Sequence, residues 1–200
     1  WVNLSKEQRK RIIINGEATV EIDRPASHVN AMYEVITGQP YLDGYPYDLS
    51  INGSLVPRHI VKNLSSFMQG STSTNGTAIR VGRHYKREAA KPGAAAKDIL
   101  QYEEWLSYKK KVSTSTIISK FLDKHYQVKD YYMRGKQYGD RIQCWESDIV
   151  FEVVIELVKL RIPVLTVYDS FIIQLQYAEL LKEIMEDVRI TSRRKLESLA

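Results

Sequence analysis

Two hundred residues, 44% hydrophobic and 10% aromatic, are enough to fill one core or a core with a subdomain, which excludes a disordered or collagen-like chain. No apolar run approaches the roughly 20 residues that span a bilayer, so a soluble protein with no membrane partner is expected. The net charge of +5, from 29 basic and 24 acidic residues, is too small to name a polyanionic partner, and the one cysteine, Cys144, predicts a reducing compartment such as the cytoplasm.

The opening "WVNLSKEQRK" has neither secretory nor transit character and begins on Trp1, which predicts a processed or truncated product with a domain upstream. Next, "RIIINGEATVEID" sets two apolar or alternating runs around Asn15 and Gly16, both tolerant of positive φ. It predicts a β-hairpin over 11–23 that delivers Asp23 at its end. Pro25 stops the strand, and Val29, Met32, Tyr33 and Ile36 recur at helical spacing in the segment that follows. Residues 37–54, rich in Gly, Pro, Asp and Asn, read as loop.

In "VPRHIVKNLSSFMQG" Ile60, Val61, Leu64, Phe67 and Met68 share one face and Arg58 and Lys62 share another, four apart, before Gly70. That is a helix with a two-cation edge. From Arg58 to Lys97 eight Lys and Arg stand against one acid, Glu88, a local excess that suits a phosphate-facing surface and equally a solvated basic face. Residues 71–97, small and basic, read as a mobile loop or hinge. "ILQYEEWLSY" and "TIISKFLDKHYQVKDYYM" read as helices. Gly135 and Gly139 predict loop before "SDIVFEVVIELVKL", a strongly apolar helix expected to be buried. "IPVLTVYDSFIIQL" reads as strand, tight turn, strand, with Asp169 at the tip and "YAELLKEIMEDVRI" after it.

An ionised carboxylate amid such apolar residues is costly unless a cation or donors meet it. If the two hairpins pair in one sheet, Asp23 and Asp169 converge, and hard oxygen ligands in that number suit Mg²⁺ or Mn²⁺ with substrate phosphates filling the other positions. The plainer reading is that Asp169 is an ordinary turn residue.

Four segments, in order over residues 18–188, resemble the palm and fingers of family A DNA polymerases and the bacteriophage-type single-subunit RNA polymerases. "VEIDRPASHVNAMY" is similar to their first palm motif, "RHIVKNLSSFMQG" to their fingers helix, "IQCWESDI" to the Ile-Gln-x-x-x-Ala-Asp-Ile segment of family A, and "VYDSF" to the last palm motif. The resemblance implies an α+β fold in which an antiparallel palm-like sheet is backed by helices, one over about 147–160, with a helical fingers-like insertion. Residues 1–50 and 141–200 would be the two parts of the palm and 51–140 the fingers-like region, with a thumb or other domain upstream.

It implies a metal-dependent, template-directed nucleotidyltransferase. Asp23 and Asp169 would bind Mg²⁺ or Mn²⁺ with the backbone carbonyl of Arg24, Arg58 and Lys62 would hold the triphosphate, and Lys62 would also protonate pyrophosphate. Gln143 would contact the minor groove or the sugar edge of the primer-template, with Tyr168, Arg83 and Lys86 on the nucleic acid and Gln69 and His28 near the nucleotide. The chain departs from the family pattern at Tyr168 for His, Ser170 for the second acid of the DNA polymerases, Gln69 for an aromatic residue, and His28 for the Glu that excludes a ribose 2′-hydroxyl. The implied partners are primer-template and nucleoside triphosphates in a reducing compartment that holds nucleic acid; DNA synthesis is the first expectation and RNA synthesis the next. The alternatives are a polymerase-derived, non-catalytic nucleic-acid-binding protein and a purely structural or interaction domain.

Other residues carry plainer expectations. His28, His59, His84 and His125 have no zinc spacing and read as scattered surface or helix histidines, Cys144 as a small buried side chain, and Ser170 as a turn serine. Tyr126, Tyr131 and Tyr132, among Lys129, Arg134, Lys136 and Arg141, suit stacking on bases and equally the edge of a core.

Overall fold

In the computed structural model, which describes residues 1–197 and side chains as far as Ser192, the chain forms two compact units: Trp1–Ala31 with the chain from Arg141 onward, and Met32–Asp140. The boundaries fall inside two helices, α2 (Ser27–Thr37) and α7 (Lys136–Lys159).

The first unit is built on a four-stranded antiparallel sheet in the order β1 (Ile13–Ile14), β2 (Glu17–Ile22), β6 (Ser170–Gln174), β5 (Val164–Val167). Asn15 and Gly16 turn between β1 and β2 with φ of 52° and 82°, the left-handed pair that a two-residue hairpin needs. Helix α1 (Lys6–Arg9) precedes it, capped reciprocally by Ser5 and Gln8, and Trp1 Nε1 donates to the Thr166 carbonyl of edge strand β5 at 2.8 Å. Phe171, Ile172 and Ile173 are all buried, so both faces of central β6 are covered, and the sheet is backed by helices. From α7, Ile149, Val153 and Leu157 are buried; from α8 (Ala178–Glu197), Leu181, Met185 and Val188.

Here α7 departs from expectation. It begins at Lys136, running through Gly139, and Phe151 and Val158 are exposed. The apolar run is therefore a helix with one buried stripe, since only residues three or four apart share one face. Cys144, expected to be buried, is exposed on the same helix.

The second unit is helical: α3 (Arg58–Gln69), α4 (Thr74–Ala89), α5 (Ala96–Lys111) and α6 (Thr114–Lys124), with a small hairpin of β3 (Ser50–Ile51) and β4 (Ser54–Leu55) turning at Asn52 and Gly53. Helix α3 ends at Gly70 as its sequence suggests. The expected mobile stretch at 71–97 is instead mostly α4, capped by Ser73 and packed by Thr77, Val81 and Tyr85. Two β-branched residues and one aromatic, each four apart, make a sufficient stripe when a neighbour covers them. Helix α6 stops at Lys124, short of the predicted 133, and of the apolar residues at helical spacing in α2 Ile36 is exposed. Gly139 lies so close to α3 that a Cβ there would meet the Gln69 carbonyl oxygen at 3.2 Å.

Candidate functional site

In the first unit the register decides the geometry. Strand β2 pairs with β6 so that Ile22 stands opposite Phe171, and β5 pairs with β6 so that Val167 stands opposite Ser170. Continuing the first ladder by one residue sets Asp23 level with Ser170, and the second leaves Tyr168 and Asp169 as the two turn residues beside it. Adjacent strands run about 4.8 Å apart, so the two aspartates begin from neighbouring backbone positions at one end of the sheet. Asp23 is exposed and has no hydrogen bond or ion pair among the described residues; Asp169 is half-buried. No group of three or more His, Cys, Asp and Glu that could hold a metal occurs among the described residues. Two carboxylates are nevertheless a usual protein contribution for Mg²⁺, which keeps waters and binds substrate phosphates.

The turn itself is strained. Tyr168 has φ of 55° and is 83% exposed, a left-handed conformation that costs a bulky residue about 1–2 kcal/mol. Ser170 is buried and hydrogen-bonds Glu21. Arg9 donates twice to the same carboxylate, at 2.9 and 2.8 Å. Those Arg9 bonds, ahead of the opposing desolvation, hold Glu21 below the usual carboxylate range. Ser170 thus anchors the base of the turn.

Glu146 of α7 is the site residue that the sequence did not reveal. It accepts from Ser27 Oγ and, at 2.8 Å, from His28 Nε2. Burial works to raise its pKa, but the hydrogen bonds from His28 and Ser27 and the charges of His28 and Arg24 outweigh it, and the carboxyl is held below its ordinary value. The Arg24 guanidinium lies 5.8 Å over the Trp145 ring. His28 is therefore oriented by a partner remote in sequence, for which no local signal existed. Gln143, earlier on α7, is exposed.

In the second unit Arg58 and Lys62 are exposed one turn apart on α3. Arg58 donates to the Tyr45 hydroxyl and stacks over that ring at 4.6 Å, so its guanidinium is held in place. Gln69, at the far end of α3, is 3% exposed and does not share the surface of Arg58 and Lys62. Arg83 and Lys86 are exposed on α4 without ion pairs among the described residues, whereas Arg80 is spent locally on the Gly70 carbonyl and Ser71.

The tyrosines divide. Tyr132 is core, bonded to Ser65 at 3.1 Å, Tyr131 stacks with Arg134, and Tyr126 is exposed. His125, expected among surface or helix histidines, is fully buried. No described helix is long and apolar enough to cross a membrane. No protein-family model, curated protein or solved structure matches the chain.

Proposed function

We propose that the chain performs metal-dependent, template-directed nucleotidyl transfer, in which a primer 3′-hydroxyl attacks the α-phosphate of a bound nucleoside triphosphate. The observation that carries this reading is the β2–β6 register, which sets Asp23 beside Asp169 although they belong to opposite ends of the chain. Asp23 and Asp169, with the Arg24 carbonyl, would hold Mg²⁺ or Mn²⁺. When bound, such ions supply charge neutralisation on the phosphate oxygens. Arg58, steadied by Tyr45, and Lys62 offer two cations to the triphosphate, and the Lys62 ammonium is the proton source for departing pyrophosphate. Gln143 and Tyr168 are both exposed, which suits contact with primer-template, and His28, oriented by Glu146, bears on the choice of sugar. DNA is the first product considered and RNA the second.

The test is extension of a labelled primer on DNA and RNA templates with dNTPs or NTPs and Mg²⁺ or Mn²⁺. Extension by the wild-type protein, lost in Asp23→Ala and Asp169→Ala while primer-template binding persists, is the expected result. Normal incorporation by either variant sinks the proposal. A second reading, non-catalytic nucleic-acid binding, is favoured by Arg83 and Lys86, exposed and unpaired among the described residues. It expects salt-sensitive binding that needs no divalent ion.

A further inference from the structure

Arg58 and Lys62 of α3 do not line their surface alone. A groove of about 580 Å³ is bounded by Pro57, Arg58, Lys62 and Asn63 on one side and by Lys97, Gln101 and Glu104 of α5 on the other, with His59 between. Three cations thus face one space, and the single acid there is already engaged. Glu104 bonds His59 Nε2 at 2.6 Å, and His59 Nδ1 meets the Tyr85 hydroxyl at 2.7 Å. Burial pushes the Tyr85 hydroxyl well above its ordinary pKa, against the opposing bond from Asn63, so it remains a donor. With Nδ1 accepting, the Nε2–H donates to Glu104, and that carboxylate is turned to holding His59. Lys62 and Lys97 have no ion pair among the described residues.

Two helix ends add to the field. Helix α3 starts after Pro57, which gives no side-chain cap, with no acid in its first turn; α5 starts after Ala95, also without a side-chain cap, with Asp98 in its first turn. First-turn N–H groups left without a cap favour an anion, as does the helix dipole. Pro57, Arg58 and Lys97, which stand at these two starts, all line the groove. Three cations, two uncapped helix starts and the Gln101 amide, one turn beyond Lys97, together ask for a ligand with several linked negative charges.

We infer that the groove is a polyphosphate site and that Lys97 and Gln101 bind the nucleotide's triphosphate alongside Arg58 and Lys62. The nucleotide as ligand rests on the nucleotidyl-transfer reading; the polyphosphate does not. The test titrates inorganic triphosphate into the full chain by calorimetry, with a chelator present so that Asp23 and Asp169 hold no divalent ion.

Lys97→Ala weakens binding about fivefold and Gln101→Ala about threefold, Lys97→Arg retains it, and Lys109→Ala, at the far end of α5, leaves it unchanged. Binding that falls with Arg58→Ala but not with Lys97→Ala or Gln101→Ala overturns the inference and leaves nucleotidyl transfer standing. Binding lost with Lys97→Ala in a protein that extends no primer supports the polyphosphate site and removes the nucleotidyl-transfer reading. No binding by the intact chain overturns the inference outright.

Discussion

Lowering the pH through the range in which histidine ordinarily titrates should destabilise this protein through one side chain, His125. The imidazole is 0% exposed, packed at 4.4 Å from Phe121 and 4.9 Å from Tyr41 between ring centroids. Its Nε2–H donates to the Pro46 carbonyl at 2.9 Å, and Nδ1 accepts from Tyr33, 3.1 Å away. Burial, aided by nearby Tyr41 and Asp43, pushes the Tyr33 hydroxyl up to about 12, so it stays a donor. Burial pushes His125 down from 6.5 to about 4, with the bond to Pro46 opposing and the Lys124 charge assisting.

The sign follows from proton counts. As pH falls through 6.5 the unfolded imidazole takes a proton that the folded one refuses until about 4, so stability is lost over that window. At about 1.4 kcal/mol per unit, the loss reaches about 3 kcal/mol at its acid end. Urea unfolding of the wild type and His125→Gln at several pH values from about 8 to about 4.5 reads it directly. The variant should be weaker at the alkaline end by about 1–3 kcal/mol, for a lost hydrogen bond and imperfect packing. The gap should then close as pH falls.

A gap that stays constant across the range would show that His125 does not set this pH dependence.

Two other outcomes are expected. Tyr168→Asn relieves the positive φ at an exposed position and should raise stability by about 1 kcal/mol, or about 2–4 °C in a thermal melt, while weakening primer-template binding; a lower melting temperature would show that the ring packs. Glu146→Gln should cost stability near neutral pH, and the difference from wild type should shrink as pH falls below about 4.3, because a carboxyl whose folded pKa is lowered loses its contribution as it protonates. Equal stability of the two proteins at neutral pH would deny Glu146 that role.

Much of the scaffold was legible because it depends on neighbours in sequence. Asn15 and Gly16 suit only a tight turn; β5, the Tyr168–Asp169 turn and β6 follow from β-branched runs around a polar break; α3 follows from its apolar face and Gly70. These elements already carried Asp23, Asp169, Arg58 and Lys62 in definite local settings. What the sequence could not decide was which faces meet. Helix α4 exists because Thr77, Val81 and Tyr85 find cover, and α7 exposes Phe151 and Val158 because one stripe of it is buried. Glu146 reaches His28 across 118 positions, and His125 resists protonation below 6.5 only once it is enclosed. Periodicity and turn chemistry act over a few residues, whereas burial, hydrogen-bond partners and strand register are set by chain segments far apart in sequence, and so the tertiary structure alone brought the two aspartates side by side.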